Sequence, residues 1–322
     1  MVLQATDRHR HDLGRQRPSC RALRYAAVSQ SERVLQQEIP AWAQAALRTR
    51  PESFYADSDK VPVHYLAWNP DDYRKPGLVF VHGFRGHAHW WDHIAPLFID
   101  DFRVYALDLS GMGESGWRRS YSPLLYAGDI AAVVRHAGLE GATLVGHSFG
   151  GSRVLRACTL IPELLRLAVI VDSSIRYSDS ARPIAADRPL GGKVYPNCES
   201  ALQRFRLLPE QPSLDWARRH IAAKSIRQVD EGWAWCFDPQ LPPPEVEADG
   251  PALIAQIRVP LRMIAGELST VVPPDRLRRM DQLLRQLPNG KAPVVIPGGY
   301  HHLMLDQPVA LIAALKAILA EF

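Results

Sequence analysis

From about residue 61 onward, short apolar runs alternate with longer amphipathic stretches. The apolar runs are rich in Val, Leu and Ile, a composition typical of strands buried on both faces of a parallel sheet. The predicted strands cover residues 63–68, 77–81, 102–107, 142–145, 167–171, 259–265 and 293–296. Their spacing leaves room for a helix after most strands, as a parallel sheet requires.

The stretches between these runs carry apolar residues at helical spacing. They predict helices over residues 31–48, 90–98, 126–137, 214–223, 273–287 and 308–319, with a further helix after the run at 142–145. Strands that alternate with helices in this way predict a doubly wound, mostly parallel α/β sheet. Active sites in such sheets lie at the carboxyl ends of the strands, which here carry His82, Asp108, Ser148 and Asp172.

The alternation stops between residues 175 and 250, where the chain is rich in Pro, Arg and Trp. We interpret residues 175–250 as a helical cap, or lid, inserted into an α/β core formed by residues 31–174 and 251–322. Residues 1–30 are polar and rich in Arg, without a sustained period, so we expect a disordered extension there.

The net charge of +4 is unevenly distributed. The first 50 residues hold nine Arg and no Lys against four acidic residues, so the remaining chain is about neutral and gives no basis for nucleic-acid binding. No apolar run reaches the ~18 residues of a membrane span, and no signal-peptide hydrophobic region lies near the start. We therefore expect a soluble cytoplasmic protein without nucleic-acid or membrane partners. The sequence does not predict the oligomeric state.

Residues 146–150 read Gly-His-Ser-Phe-Gly and lie between an apolar run and a helical pattern. Gly-x-Ser-x-Gly between a strand and a helix is the signature of a nucleophile elbow. The tight turn would hold Ser148 in a strained backbone conformation, and glycine at 146 and 150 would avoid collisions with neighbouring backbone. Because a serine hydroxyl is a weak nucleophile, Ser148 needs a base held in place by a third group.

Four motifs, in this order, resemble those of the α/β-hydrolase fold family over about residues 60–322. They are an oxyanion loop at 82–86, a D-x-x-G-x-G-x-S turn at 108–115, the elbow at 146–150, and a histidine loop with Gly-Tyr-His at 299–301 and Asp-Gln-Pro at 306–308. The resemblance implies the α/β-hydrolase fold with a Ser-acid-His triad.

The resemblance also implies which histidine is the base and which amides face the developing oxyanion. In the family the catalytic histidine precedes a loop proline by seven residues, a register that His301 matches and His302 misses by one. The backbone N–H groups of Phe84 and Phe149 correspond to the family's oxyanion donors.

The acid of the triad departs from the usual family pattern. Most members place an aspartate shortly after the strand that here ends near Gly266, but Ser269 occupies that position. A subset of the family carries its acid at the end of the strand that follows the elbow helix, which corresponds to Asp172. Glu267, early in the later loop, remains the alternative. Either carboxylate would orient His301 and stabilise its imidazolium form.

A histidine-rich segment at residues 87–93 resembles the H-x-H-x-D-H motif of metallo-β-lactamase-like hydrolases. It has one residue too many before the aspartate, and no partner histidine motif occurs at suitable spacing. We therefore expect neither a metal nor an organic cofactor.

These features predict a serine hydrolase that cleaves a small hydrophobic carboxylic ester or lactone through an acyl-enzyme intermediate. The aromatic residues of the cap and of residues 84–91 favour an apolar pocket. Two alternatives stay open: a C–C bond hydrolase of diketone-type substrates with the same triad, and a low-turnover ligand-binding member of the fold.

Overall fold

The computed structural model describes residues 39–177, 192–243, 247 and 249–322. The expected disorder of residues 1–30 and the start of the helix predicted from residue 31 lie outside these ranges. The remainder of that helix forms α1 (Ala41–Arg48), which packs Ala43 and Ala46 against the domain.

An eight-stranded sheet is the centre of the fold, in the order β1-β2-β4-β3-β5-β6-β9-β10. The strands are β1 (Glu52–Ser58), β2 (Val61–Trp68), β3 (Gly77–Val81), β4 (Arg103–Leu107), β5 (Ala142–His147), β6 (Leu165–Val171), β9 (Leu261–Gly266) and β10 (Val294–Ile296). β1 and β2 are antiparallel to their neighbours. The other six strands, β3, β4, β5, β6, β9 and β10, are parallel to one another. The predicted doubly wound, mostly parallel sheet is therefore confirmed.

Helices cover both faces of the sheet because successive strand residues point to opposite sides. In β3, Val79 and Val81 belong to one apolar core, and Leu78 and Phe80 belong to the other. The first core includes α2 (Pro123–His136), α3 (Phe149–Leu160) and α7 (Pro274–Leu284), and the second includes α1 and α9 (Pro308–Leu319). None of the helices in the described ranges is long and apolar enough to cross a membrane.

Two local features of the core differ from the sequence prediction. β1 was not predicted, because four of its seven residues are exposed and the strand lies at the sheet edge. Residues 90–98 were predicted as one helix but form two 3₁₀ turns, Ala88–Trp91 and Ala95–Phe98. Pro96 lacks the backbone N–H that a continuous helix would need there, which explains the interruption.

The segment between β6 and β9 lies outside the main sheet. It contains α4 (Cys198–Leu202), α5 (Asp215–Lys224), a hairpin of β7 (Ile226–Val229) and β8 (Gly232–Trp235), and α6 (Gly250–Gln256). The hairpin was not predicted. The chain after it contacts the loop that follows β4, where the Gly113 N–H donates to the Cys236 carbonyl at 2.7 Å. This contact joins the inserted segment to the loop at the carboxyl end of β4. A short helix, α8 (Leu303–Asp306), precedes α9.

Candidate active site

Ser148 occupies a sharp turn between β5 and α3. Its backbone has φ 53° and ψ −119°, a region that residues with a side chain rarely adopt. A Cβ atom on Gly146 would lie 2.7 Å from the Gly150 carbonyl oxygen, and one on Gly150 would lie 2.4 Å from the carbonyl oxygen of His82. Both positions need glycine because backbone crosses backbone there, and the strain that the sequence predicted at Ser148 is present.

A buried hydrogen bond joins His301 to Asp172. The His301 Nδ1 atom lies 2.6 Å from Asp172 Oδ2, and the two residues are 3% and 0% exposed. Since the carboxylate accepts the Nδ1–H, the lone pair of the ring is on Nε2. The His301 loop lies directly beside the elbow, because His147 Nε2 donates to the His301 carbonyl oxygen at 3.0 Å.

Asp172 is held from two further directions. It follows β6 with a positive φ of 45°, and its Oδ1 atom accepts a 2.9 Å hydrogen bond from the Gly266 N–H. Ser269 Oγ donates to Asp172 Oδ2 at 2.6 Å. Ser269, which stands where the family usually has its acid, therefore supports the carboxylate on the neighbouring strand. These hydrogen bonds offset the loss of hydration of a buried charge and fix its orientation.

The two competing candidates occupy different surroundings. Glu267 is exposed, and its Oε2 atom accepts from the Gly298 N–H at 2.8 Å on the rim of the histidine loop. His302 is buried and faces Trp90, with ring centroids 5.3 Å apart. Asp172, and not Glu267, is thus the carboxylate bonded to His301.

His82 fixes the loop that carries Phe84. The Leu109 N–H donates to His82 Nε2 at 3.0 Å, and His82 Nδ1 donates to the Gly83 carbonyl oxygen at 2.7 Å. This pair of bonds requires the neutral ring, in agreement with burial, which lowers the pKa of His82. The sequence identified His82 as a polar residue at a strand end and as part of a motif. Its bond to Leu109 joins residues that are far apart in the chain.

The residues with the two expected oxyanion amides lie together. Phe149 is the first residue of α3, so its N–H has no acceptor within the helix and points along the positive end of the helix dipole. The rings of Phe84 and Phe149 have centroids 5.3 Å apart. The arrangement can stabilise negative charge that develops beside Ser148.

Residues 87–93 join the core to the inserted segment. Asp92 accepts hydrogen bonds from His89 at 2.9 Å and from His220 of α5 at 2.8 Å. Asp92, His89 and His220 thus form a hydrogen-bonded cluster between the core and the inserted segment.

A cavity of about 350 Å³ lies between the hairpin and the loop after β4. Its aromatic wall includes Trp117, Trp235 and Phe237. The Arg85 guanidinium lies over the rings of Phe237 and Phe84, 4.9 Å and 5.2 Å from their centroids. Arg85 therefore connects the cavity wall to the loop that carries Phe84.

Comparison with known proteins agrees with this architecture. The family model described as the alpha/beta hydrolase family matches residues 78–315. An esterase of Mycobacterium tuberculosis is 24% identical over 255 residues, which cover 76% of this chain and 83% of that protein. A monoacylglycerol lipase of Mycolicibacterium smegmatis is 30% identical over 156 residues, covering 46% of this chain and 56% of that protein.

Solved structures show the same fold. The thioesterase domain from the curacin biosynthetic pathway superposes with a TM-score of 0.67 at 20% identity, covering 83% of this chain and 99% of that domain. The two curated relatives described above are an esterase and a lipase by name, and the family model spans well over half of the chain. The chain therefore belongs to the alpha/beta hydrolase family.

Proposed function

We propose that the protein is a serine hydrolase that cleaves a carboxylic ester or lactone through an acyl-enzyme intermediate. The observation that carries the proposal is the buried Asp172–His301 hydrogen bond on a loop that contacts the Ser148 turn. The Ser148 hydroxyl attacks the carbonyl carbon while His301 Nε2 accepts its proton. His301 then returns this proton to the departing alkoxide.

Asp172 holds the His301 ring and stabilises its imidazolium form without accepting the proton. The N–H groups of Phe84 and Phe149 bind the oxyanion of the tetrahedral intermediate, a contribution of about 3 kcal/mol for one such donor. Water then attacks the acyl-enzyme with His301 as general base, and the carboxylic acid leaves Ser148 free for another cycle.

We further propose that residues 175–250, of which 178–191, 244–246 and 248 lie outside the described ranges, form a cap over this site and favour a hydrophobic substrate. The support for a hydrophobic substrate is the aromatic wall of the cavity, formed by Trp117, Trp235 and Phe237, which shares the cavity with charged residues such as Arg227 and Glu231. Cavities of this size and aromatic character suit small or medium ligands. The named activities of the relatives agree with an ester substrate.

Activity on a panel of p-nitrophenyl esters with different acyl chains tests this proposal. Ser148→Ala is expected to lose turnover by several orders of magnitude, on the order of 10⁶-fold if the serine acts within a triad. Ser152→Ala makes the same chemical change one turn along α3, where Oγ donates to the Phe149 carbonyl, and should retain activity. Absence of ester turnover in the wild type, or equal rates for wild type and Ser148→Ala, would refute the proposal.

A further inference from the structure

Three buried histidines meet beside the proposed nucleophile. His147, His301 and His302 are 1%, 3% and 5% exposed, and one nitrogen of each ring lies within 4.8 Å of the nitrogens of the other two. Their ring centroids are 4.7–5.4 Å apart. The triad mechanism uses only His301, so the close approach of the other two rings requires a separate explanation.

In two of the three rings, one nitrogen donates its proton to an oxygen atom. The acceptors are the His301 carbonyl for His147 and the Asp172 carboxylate for His301. The second nitrogen of each of these rings then carries a lone pair. His147 Nδ1 and both ring nitrogens of His302 are buried and have no hydrogen-bond partner among the described residues. A ring that donates from one nitrogen to a carbonyl or carboxylate is typical of histidines that bind metals.

We propose that His147, His301 and His302 form a binding site for a divalent transition cation of the zinc type, and that occupancy inhibits the enzyme. In a tetrahedral zinc site with Zn–N distances of about 2.0 Å, ligand nitrogens lie about 3.3 Å apart, so modest rotation of the rings closes the site. Imidazole favours Zn²⁺, Ni²⁺ and Cu²⁺ over Mg²⁺ and Ca²⁺. The inhibition rests on the proposed function, because the metal occupies the lone pair with which His301 accepts the Ser148 proton.

Metal binding is measured first, independently of turnover. Calorimetry with Zn²⁺ and the visible absorption of bound Co²⁺ are applied to the chelator-treated full chain and to Ser148→Ala, both of which should bind one ion. His302→Ala and His302→Gln should bind at least about tenfold more weakly, with folding checked by circular dichroism. His220→Ala is the control because His220 and His89 share Asp92 in a separate histidine–carboxylate contact. Unchanged affinity in both folded His302 variants, or a loss in His220→Ala, would overturn the site.

Inhibition is then measured with each variant normalised to its own metal-free rate. Zn²⁺ should inhibit ester hydrolysis by the wild type and by His220→Ala at the concentrations that saturate binding, and Mg²⁺ should not. Both His302 variants should need at least about tenfold more Zn²⁺. Binding at the cluster without inhibition would overturn the inhibitory role. Metal binding by a protein that turns over no ester would instead contradict the proposed function and leave the metal site intact.

Discussion

Asp172 shows how a carboxylate after β6 can lie close to the place of the aspartate that the family usually has after β9. β6 and β9 are adjacent parallel strands, so the residues that follow them lie at the same edge of the sheet. The Asp172 N–H donates to the Ile264 carbonyl at 2.7 Å, and Ser269 reaches the carboxylate from the loop after β9. A carboxylate at the end of β6 can thus approach His301 as one from the later loop would.

Substituting Asp172 by asparagine should lower kcat by about 10⁴-fold, because an amide can hold the His301 ring in the wrong tautomer and cannot stabilise the imidazolium. KM should change much less, since the Asp172 side chain is buried and its carboxylate is bonded to Gly266, Ser269 and His301. Steady-state kinetics on the best p-nitrophenyl ester measure both constants.

Glu267→Gln is the matched control for this substitution. Glu267 is exposed and accepts only from the Gly298 N–H in the described part of the chain, a bond that the glutamine oxygen can keep. Its kcat should stay close to that of the wild type. A collapse of kcat in Glu267→Gln with little change in Asp172→Asn would transfer the role of acid to Glu267.

At the level of elements, the sequence predicts what depends on local pattern. The parallel strands β3, β4, β5, β6 and β9 are clear because burial on both faces produces largely apolar runs. Exposed β1 and the short hairpin have no such run. Ser148, Asp172 and His301 could be selected through motifs. The support from Ser269 and the contact of His147 with the histidine loop could not, because they join residues 97 and 154 positions apart.

The crossing of β5 and α3 should be among the positions in the fold that tolerate substitution least. A Cβ atom on Gly146 would lie 2.7 Å from both the Gly150 carbonyl oxygen and the Gly151 Cα atom, and neither backbone atom can move independently of the elbow. Gly146→Ala should therefore lower the free energy of unfolding by at least about 1–3 kcal/mol. Urea unfolding followed by circular dichroism measures the change.

Gly128→Ala provides the control on an ordinary helix. In α2 the nearest atom to a Cβ on Gly128 is Ser58 Oγ at 3.9 Å, so the methyl group fits. Alanine should then raise the free energy of unfolding by about 0.5–1 kcal/mol through helix propensity. If Gly146→Ala were as stable as the wild type, helix and strand would have to separate more easily than their packing implies.

Across the whole molecule, buried neutral histidines couple stability to pH. Burial lowers the pKa values of five histidines: His82, His87, His93, His147 and His302. In the unfolded chain these rings titrate near pH 6.5, so acidification protonates the unfolded state first. Stability is therefore greatest above pH 6.5 and falls as the pH decreases below that value. Stabilising carboxylates such as Asp92, whose pKa is lowered, lose their contribution only below about pH 4.

His87 allows this coupling to be measured at one residue. Burial lowers its pKa to about 3, and its Nε2 atom lies 2.9 Å from Ser225 Oγ, a contact that the amide of glutamine can replace. Between pH 6 and pH 4.5, the free energy of unfolding of the wild type should fall more steeply than that of His87→Gln. The difference in slope should approach, but not exceed, about 1.4 kcal/mol per pH unit, the value for one proton. Urea unfolding at several pH values gives both slopes. Equal slopes would mean that His87 takes up its proton in the folded protein, which its burial beside α5 opposes.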